Sequence, residues 1–120
     1  MRETWVVGAA TSKFGKLSET GREAATKVAL SAIDSAGLEP NDIDATFVSN
    51  AFGVAERQAH LGPLINTGLG IPEVPSCTIE SACSSSSAGL HEAFVHVAGG
   101  FAGCATRPRV DRSRCWSSIP

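Results

Sequence analysis

The segment Thr78-Ile79-Glu80-Ser81-Ala82-Cys83-Ser84-Ser85-Ser86-Ser87-Ala88-Gly89 puts a cysteine where a strand-like run ends and a helical pattern begins. The first N–H groups of a helix have no intrahelical partner, and the helix dipole is positive there. A thiolate at such a point is stabilised, which raises the nucleophilic fraction near neutral pH. The same N–H groups can stabilise oxygen charge in an acyl-transfer intermediate. Ser81, Ala82, Ser84 and Ser85 are small and leave room for a thioester to approach. Cys83 is therefore a candidate nucleophile. The competing reading is a small buried residue ahead of a serine-started helix, and position alone does not separate the two.

A nucleophile needs a base, and the three histidines offer none by spacing. His91 is eight residues past Cys83 on the same expected helix, about 12 Å along its axis. His96 is further still, and His60 is expected as a polar residue on a helix surface. Among the other cysteines, Cys77 lies inside an expected strand and is expected in the core, while Cys104 and Cys115 have no readable context. Nothing in the sequence signals secretion, so reduced thiols in a cytoplasmic protein are expected rather than disulfides.

Other motifs carry little. There is no Cys-x-x-Cys pair and no Cys/His cluster at zinc spacing, so no metal is expected. Gly68-Leu69-Gly70-Ile71-Pro72-Glu73 starts like a dinucleotide loop but has glutamate at the third glycine position and no helix after it. Asp42 and Asp44 read as part of a solvated turn.

The elements that would position Cys83 follow from periodicity. Thr4–Ala10 reads as a short buried strand. A helix is expected from about Thr20 to Ala36, with Thr20 and Glu23 as a capping box and Gly37 as its stop. Its apolar stripe is Ala25, Val28, Ala29, Ala32, Ile33 and Ala36. A second strand is expected at Ala45–Phe52, and a weaker helix at about Ala55–Thr67, interrupted by Gly62-Pro63. A third strand is expected at Val74–Ile79. The last helix begins near Cys83 or Ser84 and runs to about Ala98, with Leu90, Ala93, Phe94 and Val97 as its apolar face. The order β-α-β-α-β-α indicates an α/β layer with a mostly parallel sheet.

The chain has 120 residues, 42% hydrophobic and 18% charged, which suits one globular domain. No apolar run is long enough for a membrane-spanning helix. The formal net charge of −2 argues against a nucleic-acid binder. That value hides a split: residues 1–100 carry a net of −5, and residues 101–120, with Arg107, Arg109, Arg112 and Arg114 against Asp111, carry +3. Apolar periodicity also stops near Ala102. The expected division is a body at 1–102 and a basic, atypical tail at 103–120, read as frame-shifted or disordered, with a natural basic tail as the alternative.

Residues of about 4–100 resemble the N-terminal part of the thiolase family, in particular acetyl-CoA acetyltransferases and sterol-carrier-type thiolases. The resemblance is carried by Val6-Val7-Gly8-Ala9-Ala10, Ser12-Lys13-Phe14-Gly15, the helix end Ser35-Ala36-Gly37-Leu38, the Ile43-Asp44 connector, Phe47-Val48-Ser49, and the block Val74 to Ser85 around Cys83. It implies that Cys83 is acylated by an acyl-CoA, with its own N–H in the oxyanion site. The acyl group would then pass on in thiolysis or Claisen condensation. It also implies acyl-CoA and CoA as substrates with no bound cofactor, and a homo-oligomer or a co-encoded partner. The family's catalytic histidines and second cysteine lie in a C-terminal half with no counterpart here, so neither Cys104 nor Cys115 takes that role and turnover by these residues alone is not expected. Alternatives are an inactive truncated thiolase-like protein, a binding subunit, or part of a ketoacyl-synthase-type condensing enzyme.

Overall fold

The computed structural model describes residues 1–51 and 58–104. Helix α1, Gly21–Ser35, starts at the expected cap. Thr20 Oγ1 accepts the Glu23 N–H at 3.3 Å, and the Glu23 carboxylate accepts the Thr20 N–H at 2.9 Å. At the other end Gly37 takes φ 66, which glycine adopts without steric cost. That turn lets the Leu38 N–H reach back to the Ile33 carbonyl at 3.1 Å, closing the helix. The buried stripe is Ala24, Ala29, Ala32 and Ile33.

Strands β1, Thr46–Ser49, and β2, Ser76–Ile79, pair in parallel with Thr46 opposite Ser76 and Ser49 opposite Ile79. Helix α2, Leu61–Leu69, makes the crossover between them. The expected interruption at Gly62-Pro63 does not occur. Both residues fall in the first turn of α2, where a missing proline N–H costs nothing because that N–H has no helical partner. The expected residues 52–57 of the second strand and the weaker helix lie outside the described residues. Asn66 of α2 is fully buried and ties the unit together. It accepts the Thr46 hydroxyl at 2.8 Å and donates to the Val74 carbonyl at 2.7 Å.

Helix α3, Ser85–Ala98, packs on β1 through Ser85, Gly89, Ala93, Val97 and Ala98. Of the expected face, Ala93 and Val97 are buried, while Leu90 and Phe94 are a correction, each 41% exposed. Small residues let the helix lie close to the strand, and the larger side chains are turned aside. They line an open groove of about 420 Å³ with Trp5, Val6 and His91.

Thr4–Ala10 is also corrected, because it forms no strand; only Val6 takes part in an isolated bridge. A strand exists through the neighbour that pairs its N–H and C=O groups, and the sheet among the described residues has only β1 and β2. Just ahead of the segment, the Arg2 N–H donates to the Ala98 carbonyl at 2.9 Å. The segment itself passes so near α1 that a Cβ at Gly8 would stand 2.3 Å from the Ala32 carbonyl oxygen. The core joins α1, α2, β1 and α3 through Ala29, Ile33, Phe47, Ile65, Leu69 and Val97.

Candidate active site

Cys83 follows the carboxyl end of β2 and precedes the first residue of α3. In open parallel sheets this is the side where ligands bind, because the strand-to-helix turns and helix starts converge there. Cys83 is exposed, which removes the reading of a small core residue. It stands one residue before the N-cap Ser84, so it sits just outside the helix start rather than within it.

The turn has an unusual backbone. Ala82 has φ 48, and among the described residues it is the sole non-glycine with positive φ. That conformation costs an alanine roughly 1–2 kcal/mol and persists only where neighbours fix it. The neighbours are serines. The Ser84 hydroxyl donates to the Ser81 carbonyl at 2.7 Å and lies 3.0 Å from the Ser81 hydroxyl. The Ser85 hydroxyl accepts the Ser81 N–H at 2.8 Å and donates to the Ala82 carbonyl at 2.7 Å. The Ser84 and Ser85 N–H groups bond the Ser81 and Ala82 carbonyls at 3.0 and 3.2 Å. A short, self-braced turn thus presents the thiol to solvent.

The other candidates are placed elsewhere. His96 packs against Phe47 with ring centroids 4.8 Å apart and planes tilted by 57°, and its Nδ1 lies 2.9 Å from the Glu92 carbonyl. A carbonyl only accepts, so Nδ1 carries the proton and the ring is a packing element. His91 lines the apolar groove, and His60 is the exposed N-cap of α2. Among the described residues no base is brought to Cys83. Cys104 is buried, and Cys115 lies outside the described residues.

Cys77 is a correction: it is exposed, not core. Helix α2 approaches β2 on the side of Ser76 and Thr78, as the 2.8 Å from a Cβ at Gly62 to Ser76 Oγ shows. Cys77 therefore points to the other face, beyond the cover that α3 gives to β1. It lines a cleft of about 190 Å³ with Asp44 and His96, at the amino ends of the strands and away from Cys83.

Gly68 and Leu69 belong to α2 and Gly70 is its left-handed C-cap, φ 78, so this glycine pair is at the wrong helix end to cradle a phosphate. Asp42 accepts the Glu39 N–H at 2.8 Å in the short 3-10 turn Pro40–Asp42, as a turn residue does. Among the described residues no three of His, Cys, Asp and Glu converge on a metal position. No helix there is long and apolar enough to cross a membrane. The sequence reading missed the strain at Ala82 and the brace of Ser85. The serine run was the available signal, since serine hydroxyls favour backbone partners at turns and helix starts.

The match with known proteins agrees with this architecture. Residues 4–105 match the family model of the thiolase N-terminal domain. The acetyl-CoA acetyltransferase of Methanothermobacter thermautotrophicus is 36% identical over 103 residues, covering 84% of this chain and 27% of that protein. The solved acetyl-CoA acetyltransferase of Syntrophomonas wolfei superposes with a TM-score of 0.70 at 26% identity, over 82% of this chain and 26% of that one. The 3-oxoacyl-[acyl-carrier-protein] synthase III of Aquifex aeolicus superposes with a TM-score of 0.66 at 25% identity, over 72% of this chain and 28% of that one. The chain thus has a partial thiolase-like α/β fold and belongs to the thiolase family, whose N-terminal domain it carries. It spans about a quarter of the length of these relatives.

Proposed function

We propose that this chain supplies the nucleophile-bearing part of a thiolase-type acyltransferase and that Cys83 takes an acyl group from an acyl-CoA. The observation that carries the reading is an exposed cysteine on a strained turn at the carboxyl end of a parallel strand pair. In the step, Cys83 Sγ attacks the thioester carbonyl and a new C–S bond forms. The bond to the CoA sulfur breaks, and CoA leaves with the proton given up by the cysteine. The Cys83 backbone N–H, beside the start of α3, would offset oxygen charge in the intermediate. The acyl group then passes to CoA or to the carbon nucleophile of a second acyl-CoA. The base for that transfer would come from outside the described residues, from further polypeptide or from a partner subunit.

On this reading acyl-CoA is a substrate, no bound cofactor is needed, and a reducing cytoplasm keeps Cys83 as a thiol. The body at 1–102 carries the candidate nucleophile; Cys104, just past it, packs in the same buried core, and residues 105–120 of the basic stretch lie outside the described residues. A test is the release of CoA from acetyl-CoA by the purified chain. The expected result is a single stoichiometric burst, lost in Cys83→Ala and kept in Cys77→Ala. A burst unchanged in Cys83→Ala contradicts the proposal.

The likeness to the synthase III structure favours one second reading, a condensing enzyme that works with acyl-carrier-protein thioesters. Discharge of acylated Cys83 by free CoA supports the thiolase reading. Discharge only by an acyl group on a carrier protein supports the other.

A further inference from the structure

Ser85 is only 3% exposed, and its hydroxyl bonds outside the helix ladder. Its two partners, the Ser81 N–H at 2.8 Å and the Ala82 carbonyl at 2.7 Å, precede Cys83 in the chain, while Ser85 follows it. The hydroxyl therefore closes a bracket over Cys83. Within that bracket Ala82 is held at φ 48, a conformation that a non-glycine residue leaves unless something fixes it. The Ser84 hydroxyl is exposed and competes with water for its bonds, so it is the weaker brace.

We propose that Ser85 is the positioning residue for Cys83, holding Ala82 in its left-handed conformation and thereby the thiol forward of the helix start. This rests on the reading of Cys83 as the acyl acceptor and adds the group that sets its aim. Ser85 touches no reacting atom. Without its hydroxyl the Ala82 carbonyl keeps the Ser85 N–H at 3.2 Å, but the Ser81 N–H loses its partner. The peptide there can then rotate toward water and carry Cys83 with it.

The test is competitive alkylation of the full chain by limiting iodoacetamide. Cleavage after Glu80 separates Cys77 from Cys83, so Cys77 is an internal control. In the wild type Cys83 is expected to label faster than Cys77. Ser85→Ala and Ser85→Val are expected to lower that ratio about tenfold, while Ser85→Thr stays within about threefold. Valine and threonine share a shape, so their comparison isolates the hydroxyl from packing. The buried Cys104, told apart from Cys115 on the same 93–120 fragment by tandem mass spectrometry, reports unfolding in the same digest. Should alanine and valine expose it, the threonine variant decides: folded with the ratio kept supports the assignment, and folded with the ratio lost overturns it. A raised wild-type ratio that Ser85→Ala leaves unchanged overturns the role of Ser85 alone. A wild-type ratio of about one overturns the reading of Cys83, and this inference with it.

Discussion

Gly89 of α3 lies so close to Ser49 of β1 that a Cβ at position 89 would stand 2.2 Å from Ser49 Oγ. That hydroxyl is buried and has no hydrogen-bond partner among the described residues. The contact sets how near the helix carrying the active turn can approach the sheet. Gly89→Ala is expected to destabilise the wild type by about 1 kcal/mol or more through overpacking. In a Ser49→Ala background the nearest contact relaxes, and the alanine's better helix propensity, worth about 1 kcal/mol, makes the same substitution stabilising. Chemical denaturation of the four proteins checks this reversal of sign, and equal effects in both backgrounds contradict it.

Asn66 couples α2 to β1 and to the lead-in of β2. Asn66→Ala leaves the Thr46 hydroxyl and the Val74 carbonyl short of partners inside the protein, an expected loss of roughly 2–4 kcal/mol. Asn66→Asp keeps the acceptor for Thr46 but turns an oxygen toward the Val74 carbonyl and buries a charge. Its defect should shrink as pH falls and the carboxyl takes a proton. Denaturation midpoints for both variants at neutral and acidic pH read this out, and a pH-independent Asp defect contradicts it.

The capping box has a pH signature. The Thr20 backbone N–H, and then its hydroxyl, hold the Glu23 carboxyl below its ordinary value of 4.5. A depressed folded value means that the cap's contribution is full above the ordinary value and is lost as pH falls through the folded one. The Glu23 carboxyl carbon followed by NMR should titrate below 4.5 in the wild type and return toward it in Thr20→Ala. Titration at or above 4.5 in the wild type contradicts the cap.

Much of this was legible beforehand because it is local. The cap at Thr20, the stop at Gly37 and the parallel β-α-β unit follow from residue types within a few positions of each other. The misses concern partners. Whether Thr4–Ala10 pairs, which face of α3 is covered and whether Cys77 is buried depend on what packs alongside, and periodicity does not carry that. Cys83 was legible as a residue at a strand-to-helix turn. The left-handed Ala82 was not, because alanine rarely adopts that conformation and no local signal announces it.

Trp5, at 60% exposure, and Val6, at 76%, face the same open groove as Leu90 and Phe94. Apolar surface of this kind drives association. Val6→Lys with Phe94→Lys is expected to lower binding of an apolar dye and raise soluble yield without changing helix content by circular dichroism. Unchanged dye binding contradicts the exposure of this groove.

The role of Cys83 is tested most directly by incubating the chain with acetyl-CoA, cleaving after glutamate and locating the acetyl group by mass spectrometry. Acetylation is expected on the fragment holding Cys83 and none on the fragment holding Cys77, although both thiols are exposed. Acetyl on both fragments alike, or on neither, would contradict it.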